Sequence, residues 1–596
     1  LEAPADPPPR LDPDIPDHDE APYDVLADPE ITKTSGWMAA QLDLPHASTW
    51  DELAHDHVVT LAVMGLNERL AELVRDPGSP FLRLAVGEQR LTPREGAQQV
   101  TFTAKEGRAL EAFRAALVEV ERFRRYGLTA GELERARKAR LARFDKLVRE
   151  AEDSDSTGHA DEIVRHALRG EPMMGTVPEA EAGKRIVGAV TLEDVNSFAA
   201  GFLPERSRST FVTLPATEGI EPPTPDALRA VVAEVAGVAL DPPADRQTVD
   251  ALVEPPAPGS VVLRDHRYTG DLGFTGLTLA NGTQVWWRRT DFTPGEIEIR
   301  ARRRGGAAAV SDADRTFAVM RMTDRARYES GLGAHDRAAV AGYLKGRSLS
   351  FRVGMGDFET SLGGTTATVD LPVALELAYA FQVEPAFTPE GIAFTRELWR
   401  DSIVNAANNP DRRFSDAWTL LLWPDDPRSP PLVPDDVERL TPDRAAVLYD
   451  GAMGSPEEWT WVFVGDLPAD FEDQVALWLG GIPRDVPGHA WVDRGFHRAP
   501  GVRRQVIQGG TADRARYRTE LYGRLGDEPD DPAWRASFSA FGDILAVRLR
   551  ERLREDLGGV YGVSAFASTW DDPYRGWRVR VEFQCDPERV DELEAA

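Results

Sequence analysis

The seven-residue stretch RLAELVR at Arg69–Arg75 returns near the other end of the chain as RLRERLR at Arg548–Arg554. The likeness continues downstream of both copies. Each runs through a Gly-containing turn and, a little later, an alternating strand that leads into a helix: QQVTFTAKEGRALEAF in the first copy and RVRVEFQCDPERVDEL in the second, with a slip of about two residues between them. A repeated unit with both strand-period and helix-period segments predicts an α+β fold class, in which mainly antiparallel sheets packed with helices recur domain by domain. With 596 residues, the chain is also too long for one core. The second copy ends at Ala596, early in the helix that in the first copy runs on past Phe113, and the chain opens on Leu1. Both observations predict a piece of a longer protein.

The punctuation of the chain sets the expected boundaries. Residues 1–20 are rich in Pro and Asp, with too little apolar surface to fold alone, and read as a linker. Residues 21–215 alternate strands and helices. Thr129 is placed to cap one helix, and Leu110, Phe113, Leu117, Val120 and Phe123 share one face of the helix before it. EPPTPD, LDPPAD and EPPAPG mark 216–265 as a Pro-rich linker or an extended wrap over the surface. A third stretch, 266–467, opens with an Asn281-Gly282 hairpin and closes on the buried strand WTWVFVGDL. Within it, the arginine-rich run Arg300 to Arg304 reads as a strand end with solvated or locally paired side chains, the sharper alternative being a contact for an acidic substrate or partner domain. Residues 468–596 repeat the first unit and lack its last elements.

A formal charge of −30, from 99 acidic against 69 basic residues, repels phosphate backbones and excludes nucleic acid as a partner, leaving basic or neutral polypeptides. No apolar run is long enough to span a bilayer. The single cysteine, Cys585, rules out an internal disulfide framework and a Cys-based zinc cluster. None of the ten histidines (18, 46, 55, 57, 159, 166, 266, 335, 489 and 497) begins or ends an H-x-x-E-H motif. On a helix, His55 and His57 project roughly 200° apart, and His159 and His166 are separated by ~10 Å along the axis, so neither pair suits one metal ion.

In Phe541–Ala565, FGDILAVRLRERLREDLGGVYGVSA, a helix ends in an Arg-bearing turn, then Gly558 and Gly559, then Tyr561, seven residues after Arg554. A guanidinium and a phenol can both donate to an oxygen on which negative charge grows. The two glycines would let the turn place both groups without Cβ clashes. The plain alternative is a solvated cation and a half-buried strand aromatic. The segment resembles the last domain of the insulinase/pitrilysin-type (inverzincin) zinc metallopeptidases. LTLANGTQVWWRRTDF resembles the hairpin that opens each half of those proteins, while ITKTSGWMAAQLDLP and VTLEDVNSFAAGFLPERSRSTFVTLP resemble the first and last parts of their second domain, all in the family order.

The resemblance implies that 21–215 is a second, non-catalytic family domain, 266–467 a third that is a degenerate copy of the catalytic one, and 468–596 a truncated fourth. It implies a bacterial enzyme that encloses peptides and hydrolyses them with zinc held by a first domain absent from this chain. Arg554 and Tyr561 would then hold the peptide group at that zinc. This chain would contribute no catalytic residue and no metal ligand, and alone would be inactive. Its partners would be a peptide substrate and the missing catalytic half, or a separate zinc-bearing subunit, in an extracytoplasmic compartment. A natural non-catalytic subunit and an interaction protein without a proteolytic role stay open as alternatives.

Overall fold

The computed structural model describes residues 15–596 except 30, 45, 77, 93, 154, 217–218, 246–248, 266–271, 311–312, 427, 484–496, 510–513 and 527–530. Most of the predicted opening linker, together with His266 and His489, therefore lies outside the described residues. The chain forms two compact units, one from the described parts of Leu1–Asn408 and Leu432–Ala490, the other from Asn409–Pro431 and Trp491–Ala596.

In the first unit, β1 (Tyr23–Asp28), β2 (Thr34–Asp43), β3 (Phe81–Arg90), β4 (Glu95–Ala104) and β5 (Arg208–Pro215) make a five-stranded sheet in the order β1-β5-β2-β4-β3. All neighbours are antiparallel except β1 and β5. Strand-period alternation buries Val100, Phe102 and Ala104 of β4 under the helix Ala109–Tyr126, which answers with Phe113, Leu117, Val120 and Phe123 at helix spacing. Burying each such side chain stabilises the fold by roughly 1.5–3 kcal/mol. Leu110, expected on that face, is exposed. Thr129 caps the helix Ala130–Arg149 through a full capping box with Glu132. The Pro-rich tract holds a helix of its own, Pro225–Ala236, with Thr224 as its cap and Pro225 in its first turn. Its Leu228, Val231 and Val235 bury in the same core.

A second sheet in this unit has seven strands: β6 (Val261–Asp265), β7 (Thr275–Leu279), β8 (Gln284–Arg289), β9 (Glu296–Arg304), β10 (Leu349–Met355), β11 (Glu359–Ala367) and β12 (Thr460–Gly465), in the order β10-β11-β9-β12-β8-β7-β6. Asn281-Gly282 turns β7 into β8 as an antiparallel hairpin, and the buried Asn281 amide donates to the Leu479 and Ile482 carbonyls. On β9, Ile297, Ile299, Ala301 and Arg303 alternate inward while Arg300, Arg302 and Arg304 point out. The inward arginine is fully buried. Its guanidinium meets both Glu458 oxygens at 3.0 Å and donates to the Gly451 and Ala452 carbonyls.

The second unit is built on β13 (Ala515–Arg524), β14 (Val560–Trp570) and β15 (Gly576–Cys585), in the order β13-β15-β14. One face carries Val563, Phe583 and Cys585 against Leu553 and Leu593. The other carries Arg516, Arg518 and Arg580, paired with Glu520 and Glu582 and stacked on Phe414 and Trp418 of the helix Pro410–Leu422.

Candidate functional site

The repeated sequence folds into a repeated structure. In the first copy the helix Trp50–Leu73 leads into the β3–β4 hairpin, and β4 lies between β2 and β3. In the second the helix Pro532–Leu549 leads into the β14–β15 hairpin, and β15 lies between β13 and β14. Both hairpins carry a bulge at the same place. Phe81 pairs with Ala104 and Arg83 with Thr103, leaving Leu82 as the extra residue. Val560 pairs with Cys585 and Val563 with Phe583, so Tyr561 and Gly562 share the place opposite Gln584. A bulge unpairs and re-aims a side chain, and it recurs beside active sites.

What the two copies do with this frame differs. Arg75, the counterpart of Arg554, is held by Glu329 at 3.2 Å and by the Ala71 carbonyl, and Leu82, the counterpart of Tyr561, is half-buried. Arg554 is exposed, with only the neighbouring Glu555 carboxylate at 3.7 Å as an ion partner. The Tyr561 ring is 79% exposed and carries the Arg514 guanidinium 4.9 Å above it. The second copy thus leaves open to solvent a polar pair whose counterparts in the first copy are held or half-buried.

The frame is tightly fixed. After Leu549 the helix widens into a π-helix over Arg550–Asp556, a form that concentrates at functional sites. The Gly558 amide donates to the Arg554 carbonyl and the Gly559 amide to the Leu553 carbonyl. Arg589 donates to the Leu557 and Gly558 carbonyls from the far side of the hairpin. Gly558 has φ +56, the left-handed region. At Gly559 an added Cβ would stand 2.4 Å from the buried Leu593 side chain. The turn thus needs glycine at both positions, at one for its backbone and at the other for its packing.

Among the described residues no group of three His, Cys, Asp or Glu side chains is arranged to hold a metal ion. The helix Thr316–Ser330 buries Thr323, Arg327 and Glu329. Arg327 pairs with Asp324 and lies 4.5 Å from the Phe381 ring. Glu329 is ringed by Arg75, Arg325 and Arg337, and burial pushes its carboxyl up while Arg325 and Arg75 pull it down. His55 and His57 sit on one helix with His57 buried and His55 exposed, and His159 and His166 are both exposed on the helix Ser156–Arg169. No helix among the described residues is long and apolar enough to cross a membrane.

No protein-family model matches the chain. It is 21% identical over 478 residues to a zinc protease PQQL-like protein of Arabidopsis thaliana, an alignment that takes in 79% of this chain and 44% of the relative. The chain thus spans less than half of that relative's length. Its fold matches a solved structure of the ferredoxin protease FusC, a variant in complex with Arabidopsis ferredoxin, with a TM-score of 0.66 at 17% identity, over 97% of this chain and 63% of that one. It also matches the periplasmic protease PqqL from Escherichia coli, with a TM-score of 0.53 at 17% identity, over 99% and 64% of the two chains. The repeated α+β units and these comparisons agree: the chain shares the fold of these proteases and is distantly similar in sequence to a zinc protease, in line with its resemblance to the insulinase/pitrilysin-type zinc metallopeptidases.

Proposed function

We propose that this chain is the non-catalytic portion of a bacterial zinc metalloendopeptidase. In this reading the successive sheets are second, third and fourth family domains, and they wall the space in which a peptide is enclosed. Arg554 and Tyr561 donate to the peptide carbonyl as charge develops on it, while the zinc and its activated water belong to a catalytic half, in the same polypeptide or on a separate subunit. The observation that carries the reading is the contrast between the copies. The same helix, turn and bulge hold a closed Arg75 and Leu82 in one and an open Arg554 and Tyr561 in the other. The zinc-protease name of the Arabidopsis relative supports the reaction class, and the periplasmic description of the Escherichia coli structure supports an extracytoplasmic site of action.

The test separates the chain from its partner. Dialysed alone, it is expected to hold no stoichiometric zinc and to cleave no peptide; supplied with a zinc-bearing half, fused or in trans, it is expected to raise peptide hydrolysis above that half alone. One tightly held zinc per chain, or no gain on pairing, refutes the reading.

A further inference from the structure

Within the first unit, a cleft of about 500 Å³ opens between the helix Ala130–Arg149 and the segment that runs from Lys345 into β10. Its lining holds five cations, Arg143, Lys146, Arg149, Lys345 and Arg347, against the single carboxylate of Glu296. In a chain of net charge −30, such an excess of cations in one cleft is the reverse of what composition favours.

The cations are not equally committed. Lys345 is paired with Glu68 at 3.3 Å, Arg347 with Asp370 at 3.6 Å, and Lys146 with Glu150 at 3.3 Å. Arg149 donates only to the Ser348 hydroxyl, at 3.1 Å, and Arg143 makes no hydrogen bond or ion pair among the described residues. Two guanidiniums are thus left without a counter-charge, six residues apart on one helix, or ~9 Å along its axis. Guanidinium forks suit carboxylates in two-point contacts. That rise is close to the ~7 Å between alternate side chains of an extended strand. The cleft also runs beside β10, the last strand of its sheet among the described residues, whose outer edge can take a further strand.

We propose that this cleft binds an extended, acidic segment of polypeptide, with alternate carboxylates on Arg143 and Arg149. The site lies apart from Arg554 and Tyr561 and stands or falls without them. The test is binding of a fluorescein-labelled decapeptide of alternating glutamate and serine to the full chain at low salt, against the same peptide with glutamine. The glutamate peptide is expected to bind at least ~10-fold more tightly. Arg143→Glu, at an exposed position, is expected to weaken it by a similar factor, while Arg302→Glu, the same charge change on exposed β9, leaves it within twofold. Equal affinity for the glutamine peptide, no measurable binding, or an equal loss in Arg302→Glu overturns the proposal. So does inorganic tripolyphosphate binding more tightly than the peptide with the same dependence on Arg143, which marks a phosphate site instead.

Discussion

The Tyr561 ring is largely exposed. It reaches solvent from a bulge that in the other copy holds Leu82, and the Arg514 guanidinium stands over its ring. On the proposed role in peptide hydrolysis alongside a zinc-bearing half, Tyr561→Phe is expected to lower turnover by roughly 10²–10³ and Arg554→Ala comparably, because a donor to a developing oxyanion acts in the transition state. Thermal melting should be unchanged for Tyr561→Phe, which keeps the ring and removes only the hydroxyl; parental turnover, or a loss that follows a large drop in melting temperature, counts against the assignment. His57 makes the opposite use of its ring. It is buried edge-on to Phe144, and burial, with Arg140 adding to it, lowers the imidazole from 6.5 to about 4. The unfolded chain takes up a proton below pH 6.5 that the folded chain refuses, so this contribution is whole above pH 6.5 and is lost as pH falls toward 4. Urea midpoints measured from pH 7 down to 4.5 should fall less steeply for His57→Phe than for the parent. Arg303 shows where residue-level reading of the sequence stops. Its place in an arginine run pointed to a strand end with solvated or locally paired side chains, and Arg300, Arg302 and Arg304 do point outward. The distant Glu458 and the Gly451 and Ala452 carbonyls help make an inward arginine tolerable, and nothing in the local pattern announces them.

The turn between helix and hairpin is the element on which the functional reading rests, and it was the most legible part of the site. Two adjacent glycines at a helix end signal a chain reversal by local chemistry alone. At that reversal Gly558 takes the left-handed conformation. An added Cβ at Gly558 meets nothing within 4 Å, so Gly558→Ala tests the backbone alone and is expected to cost about 1 kcal/mol, with Gly558→Asn costing less. A melt that leaves Gly558→Ala unshifted would show that the turn adopts another conformation. The π-helix and the bulge were not legible. Both arise from one extra residue accommodated against a partner element, and no periodicity in Arg550–Asp556 or Val560–Val563 reports it. The same contrast runs through the fold. Caps such as Thr129 and the Asn281-Gly282 hairpin follow from side-chain chemistry within a few residues. The helix Pro225–Ala236 hides in a Pro-rich tract because Pro225 and Thr224 start the helix that the neighbouring prolines argue against. Leu110 fits the apolar spacing of its helix and is exposed, since the buried stripe is narrower than the apolar one.

The two units are held together by different physics. In the first, Trp459, Trp461, Phe463 and Phe471 are fully buried with aliphatic neighbours from both sheet and helices, and a second core lies under the five-stranded sheet. In the second, the fully buried cluster is Leu553, Val560, Val563, Phe583, Cys585 and Leu593. Its opposite sheet face is a lattice of arginines, two glutamates and aromatic rings, while the helix Pro532–Leu549 turns Trp534, Phe541, Ile544 and Val547 to solvent. Apolar burial is the main stabilising force, and exposed helix faces weaken it, so the second unit is expected to open at lower free energy than the first. Limited proteolysis with thermolysin should cut within residues 497–596 while the first unit survives as a fragment. In urea, the near-ultraviolet signal should fall in two steps. A single transition with both units cut at the same rate would mean that the second unit draws its stability from elsewhere than its own core.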